Sequence, residues 1–317
     1  MPTLANIQRQ VKRRLLGSYR EEVSSLAAAM VDTTGTTLTL TSNPTQLATG
    51  SVISIGTELM YVTDYQTSSK IATVIRGYLS DPTTHLAADL VEINSRFPSA
   101  GIYDAMTDVC NGLPLGIFAV RDSGWISIGG GQYLVDVSTA SGIPEESIYG
   151  ILAVLIDKPD LSASWVTSAA SPTQAIRWAD LTGARLVRVR YPTSSDSSKL
   201  LVRLGRLSGV QWDTANIAFR LCVRPDLSTF TPATTLTTIG LPDSMASPIV
   251  LGTVLQLWAD QEVKRTSVDA LGQSSRKDDV PGGLLMSDIA QMRRVFDGLV
   301  AEEAVKLRAK YPFRWTS

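Results

Sequence analysis

His85 is the only histidine in the chain, and Cys110 and Cys222 are the only cysteines, so few residues could act as base or nucleophile. A Ser-His-Asp triad, a Cys-His dyad or a multi-histidine metal centre would have to pass through that one imidazole. His85 follows Asp81-Pro82-Thr83-Thr84, whose residue types form turns, and the expectation is a loop histidine bonded to neighbouring backbone. No second Cys or His stands near either cysteine at metal-ligand spacing, which predicts no metal site and a reducing or indifferent compartment. Gly129-Gly130-Gly131 has the glycines of a phosphate loop, but no Lys-Ser or Lys-Thr follows, so a hairpin turn is expected. Glu145-Glu146, Asp278-Asp279 and Glu302-Glu303 are adjacent carboxylates that point in different directions, unlike an acid and a base held across a cleft. Trp125, Trp165, Trp178 and Trp212 offer indole faces on which a sugar could stack, although core packing is the ordinary use of such rings. These residues predict no catalytic, cofactor-binding or metal-binding site, and therefore no enzyme.

The elements around these residues alternate in type. Leu4, Ile7, Val11 and Leu15, then Val23, Leu26 and Met30, recur at helical spacing, which predicts an N-terminal helical segment over residues 1–31 with a break at Gly17-Ser18. Lys12, Arg13 and Arg14 fall on its polar side and read as a solvated face. Residues 32–95 switch to short alternating runs (38–40, 52–55, 58–63, 71–75 and 90–93), which predicts a compact barrel or sandwich of about five strands. Residues 96–114 read as a linking helix opened by Phe97-Pro98 and capped by Ser99. About nine further runs, the last over residues 234–239, predict a β-sandwich domain over residues 115–242. A C-terminal helical segment and tail over residues 243–317 holds two helices, capped by Ser247 and Ser287 and separated by a loop over residues 267–283. The predicted fold class is α+β: a discontinuous helical core from both termini and one middle helix, with a small β module and a larger β-sandwich inserted.

At 317 residues with 44% hydrophobic and 19% charged side chains, the chain is long enough for two or three units with real cores. A net charge of -1 gives no bulk attraction to nucleic acid. Residues 1–14 carry no apolar run of a signal peptide or anchor, and the longest apolar stretch, residues 148–156, is too short to span a bilayer as a helix. An aqueous location without a membrane partner is expected.

Ile53-Ser54-Ile55-Gly56-Thr57-Glu58-Leu59-Met60-Tyr61-Val62, then Val74-Ile75-Arg76-Gly77-Tyr78-Leu79, then His85 and the run to Val91 together resemble a small β module of tailed-phage virion proteins. In that module an Ile-Gly-x-Glu-x-Met strand is followed by an Arg-Gly-x-x-Gly-Thr turn, a His and a final strand. Ser80 stands where the module has its second turn Gly, and Asp89 where a Gly often precedes the last strand. Gly56 and Gly77 suit turns, and Glu58 and Arg76 are expected to form a cross-strand charged pair that fixes register.

The order helix, β module, helix, large β domain and terminal helices is similar to that of the head-to-tail connectors (adaptors) of long-tailed phages. The resemblance implies a structural virion protein of the neck, assembled in the host cytoplasm as a homo-oligomeric ring of about twelve copies. Its partners would be the portal protein and a stopper or tail-completion protein, with DNA passing through the lumen without sequence recognition. Tyr311, Phe313, Arg314 and Trp315 form an aromatic and basic end suited to docking on the portal or a neighbouring subunit, the alternative being a fold back onto their own helices. The competing functions are a receptor- or carbohydrate-binding tail protein and a stopper or tail-terminator subunit of the same neck.

Overall fold

The computed structural model describes residues 1–17, 20–114, 116–127, 134–137, 142–157, 174–177, 185–190, 198–203, 216–227, 231–270 and 284–311. The fold is α+β, and the chain divides into two units. The first comprises residues 1–112, 226–236 and 243–299, and the second residues 113–225, 237–242 and 300–317. The division differs from the expected boundaries: residues 226–236 belong with the N-terminal unit and residues 300–317 with the large β unit.

In the first unit, α1 (Leu4–Leu16) starts at Thr3, whose hydroxyl accepts the Asn6 N–H, and buries Leu4, Ile7 and Val11 along one face. The expected continuation of helix over Val23, Leu26 and Met30 does not form. Instead β1 (Val23–Ser25) pairs antiparallel with the end of the β module, and Leu26 and Met30 bridge Leu40 and His85. Three- and four-residue spacing is shared by a helix and by a strand with an irregular continuation; here pairing with distant strands decides.

The β module supplies β2 (Thr37–Thr39), β3 (Val52–Ile55), β4 (Glu58–Gln66), β5 (Ile71–Ile75) and β6 (Leu90–Ile93). The antiparallel order is β1-β6-β3-β4-β5-β2. Ala27 N–H donates to Thr39 O and Thr41 N–H to Ser25 O around the Leu26–Leu40 bridge, which closes the sheet into a barrel with both edges paired. Alternate residues, among them Leu38, Ile53, Ile55, Met60, Val62, Val74, Val91 and Ile93, fill its interior.

α2 (Ser99–Asn111) has Pro98, not the expected Ser99, at its cap position, and Ser99 is its first residue, with its N–H and hydroxyl both bonded to Glu92 of β6. The expected strand over residues 234–239 is replaced by a bridge at Thr235 and the short α3 (Leu236–Ile239), since Leu236 and Ile239, three apart, are both buried. A 3-10 turn leads into α4 (Ala246–Ala270), so Ser247 lies inside the helix and does not cap it. α5 (Leu284–Lys310) likewise starts three residues before Ser287. Residues 271–283 of the expected interhelical loop lie outside the described residues. α1 and α2 both pack on α4. Gly252 of α4 makes room for Phe296 of α5 and Val109 of α2, which would stand 2.7 and 2.8 Å from an added Cβ.

The described residues of the second unit form two antiparallel sheets built from β7 (Ala119–Asp122), β8 (Ile126–Ser127), β9 (Leu134–Asp136), β10 (Ile148–Asp157), β11 (Gln174–Arg177), β12 (Arg185–Arg190), β13 (Ser198–Arg203) and β14 (Asn216–Val223). One has the order β11-β10-β14-β7, with β8 also on β14, and the other β12-β13-β9. Val154, Phe219 and Leu221 are buried on the first. Among the described residues no helix is long and apolar enough to cross a membrane.

Candidate functional site

Glu58 opens β4 and Arg76 directly follows β5, so the antiparallel register that sets Tyr61 opposite Ile75 brings the two side chains together. Arg76 Nε donates to Glu58 Oε1 at 2.7 Å and Nη2 to Oε2 at 2.8 Å, the two-pronged geometry of a guanidinium on a carboxylate. The pair is the centre of a larger clasp. Glu58 also accepts from the backbone N–H groups of Gly77 (3.0 Å) and Thr83 (2.9 Å) and from His85 Nε2 (2.8 Å). Arg76 Nη1 donates to the carbonyls of Asp32 and Gly35, both at 3.2 Å, and Nη2 also donates to that of Thr83. Glu58 is fully buried and the Arg76 side chain nearly so. Gly77, at φ 63, takes a left-handed turn that points its N–H at the carboxylate. Ser80 hydrogen-bonds the Leu59 N–H at 2.8 Å across this turn.

Burial alone would raise the Glu58 carboxyl, but Arg76, His85 and the two backbone donors outweigh it and hold the group down at about 2. An ionised carboxylate only accepts hydrogen bonds, so His85 carries its proton on Nε2. Backbone pairing explains how His85 arrives there: its N–H donates to Met30 O and its carbonyl accepts from Met30 N–H. The expectation of a loop histidine bonded to neighbouring backbone is thereby corrected: its ring bonds Glu58 and its backbone Met30. The residues responsible, Met30 and Glu58, are remote in sequence and left no local signal.

So acidic and fully engaged a carboxylate is no base at neutral pH; its arrangement fixes backbone. The clasp joins β4, the 76–83 turn and the 32–35 loop. Next to the clasped Asp32 and His85, Val31 is 81% and Leu86 72% exposed, and within the 76–83 turn Leu79 is 80% exposed. Leu79 also has φ 59, a conformation that costs a non-glycine residue about 1 kcal/mol and persists where surrounding bonds enforce it.

A second polar cluster had no signature in the sequence. Lys12 Nζ lies 2.6 Å from Glu21 and 2.7 Å from Glu92, both largely buried, which corrects the reading of Lys12 as part of a solvated face. Glu21 also accepts from Ser95 and the Arg96 N–H. Burial raises the Glu21 carboxyl, yet Lys12 and Ser95 keep it below its ordinary value. Through this cluster α1, β6 and the start of α2 are tied together.

At the other end of the chain, Tyr311 packs edge-on against Phe118 at 6.4 Å and receives Lys310 Nζ 5.3 Å from its ring centre. It lines a cleft of about 400 Å³ with Asp122, Arg220 and Leu307 of its own unit, where Arg220 forks onto Asp122 at 2.8 and 2.9 Å. Tyr311 therefore folds back onto its own unit, while Phe313, Arg314 and Trp315 lie outside the described residues. Trp125 is 51% exposed, against the expectation of core packing; Trp165, Trp178 and Trp212 lie outside the described residues. Burial pushes the Cys110 thiol up to about 12 and the Cys222 thiol higher still, so neither supplies a thiolate nucleophile at neutral pH. Among the described residues no group of three or more His, Cys, Asp or Glu is placed to hold a metal ion.

Comparison with protein-family models, with curated proteins and with solved structures gave no match.

Proposed function

We propose that the chain is a structural, non-catalytic virion protein of a tailed bacteriophage: a head-to-tail adaptor whose copies form a ring below the portal and join capsid to tail. The observation that carries this reading is the convergence of the motif residues. Glu58, Arg76, Gly77 and His85, which carry the resemblance, come from separate stretches of the β module and meet in one buried clasp. The motif is in this reading a building unit whose chemistry is structural in kind: it stiffens loops that display Val31, Leu79 and Leu86. Rigid loops displaying apolar side chains suit a subunit that meets neighbours in an assembly.

In this reading the partners are like copies, the portal and a stopper or tail-completion protein, and DNA crosses the lumen without sequence recognition. The net charge of -1 agrees with a channel that does not grip its cargo. The terminal residues Phe313, Arg314 and Trp315 dock on the portal or on a neighbour. Removal of residues 313–317 is expected to leave a folded chain whose filled heads fail to join tails. Normal tail joining by the truncated protein would exclude this docking role.

One observation favours a second reading: the exposed Trp125 is available for stacking on a sugar. Glycan binding by the isolated chain, lost in Trp125→Ala, would move the assignment to a carbohydrate-binding tail protein.

A further inference from the structure

Two helices of the first unit carry uncompensated charge of opposite sign at the same spacing. Before Glu21 the chain has Arg9, Lys12, Arg13, Arg14 and Arg20 and no Asp or Glu. On α1, Arg9 and Arg13 lie one turn apart on the side opposite the buried Leu4, Ile7 and Val11, and both are exposed. Neither has a hydrogen-bond or ion-pair partner among the described residues; the nearby Glu21 and Glu92 are buried and taken by Lys12. On α2, which contains no Lys or Arg, Asp104 and Asp108 lie one turn apart and exposed, opposite the buried Ile102, Met106 and Cys110. The Asp104 carboxylate has no partner, and that of Asp108 accepts only a long bond of 3.2 Å from Gln256, among the described residues. Like charges one turn apart weaken a helix, so each pair is unfavourable in the isolated subunit.

We infer that the Arg9–Arg13 stripe of one copy docks on the Asp104–Asp108 stripe of the next copy, as a repeating contact between subunits. The spacing matches: residues four apart on a helix are separated by about 6 Å along the axis, so two Arg–Asp pairs form in register when the helices lie side by side. The two surfaces differ and sit on separate helices, so the contact is heterologous and propagates from copy to copy, as a closed ring requires. Asp104, held above its ordinary value by partial burial and by the Asp108 charge, gains the counter-charge it lacks. The inference rests on the ring reading and names the contact that builds it.

The test uses the full chain and two variants, R9E/R13E and D104R/D108R, with circular dichroism to confirm that each folds. Self-association is measured by sedimentation at low and high salt. Wild type is expected to associate at low salt and to dissociate as salt is raised. Each variant alone should associate about tenfold or more weakly, since attraction becomes repulsion. An equimolar mixture should regain wild-type association, because each variant's altered stripe then faces the other's complementary one. Association unchanged in either variant, or no rescue in the mixture, would overturn this interface and leave the ring reading standing. A wild type that never associates would sink both. Loss in R9E/R13E of binding to a random-sequence DNA duplex, with self-association intact, would assign the arginines to nucleic acid and overturn the inference.

Discussion

Glu58 shows how one residue can organise a module. Its two carboxylate oxygens take five donors from Arg76, Gly77, Thr83 and His85, none of which is adjacent to it in sequence. Removing the cation strands a buried charge, so Arg76→Ala is expected to destabilise the first unit by about 3–5 kcal/mol in urea unfolding. Arg76→Lys should recover only part of that loss, because an ammonium lacks the fork that spans both oxygens. The pH dependence has a definite sign. Glu58 titrates near 2 when folded and near 4.5 when free, so its contribution is complete above about 4.5 and disappears as pH falls towards 2. The stability gap between wild type and Glu58→Gln should therefore be widest at neutral pH and shrink, by on the order of 3 kcal/mol, between pH 4.5 and 2. A gap independent of pH in that window would contradict the assigned ionisation. The pairing of Glu58 with Arg76 was legible in the sequence because the two flank paired strands. His85 was only half legible: its turn was visible, but its place depends on a bridge to Met30 that no local pattern announces.

Elements were legible where one period dominated. Residues 36–94 alternate cleanly because every strand has one face inside the barrel, and all five expected strands are present. Val23, Leu26 and Met30 misled because their spacing fits a helix, whereas their backbone is claimed by β6, Leu40 and His85. Leu236 and Ile239 misled in the opposite sense, as threonines between apolar residues suggest a strand while the buried pair has helical spacing. Helix packing was not legible at all at Gly252, which reads as an ordinary weak point of α4. Since Phe296 and Val109 fill the space above it, Gly252→Ala should destabilise by about 1–3 kcal/mol despite alanine's better helix propensity. Gly240, at φ 94 with Val120 O 2.3 Å from an added Cβ, should tolerate alanine even less. Thermal unfolding of the two variants checks both expectations; a stabilised Gly252→Ala would contradict the packing of α4 against α2 and α5.

For the molecule as a whole, the α+β class was legible from the alternation of periods along the chain, while the division into units was not. Residues 226–236 pair with the N-terminus, as in the Leu4 N–H to Thr234 O bond, and such returns of the chain leave no mark in composition. The proposed role joins the motif's clasp to an assembly of like subunits. The most direct test is a cryo-EM reconstruction of purified particles that locates the chain and counts its copies. A closed ring of about twelve copies between portal and tail is expected, with α1 of each subunit beside α2 of the next. Density at the tail tip, or a particle that lacks the chain, would contradict it.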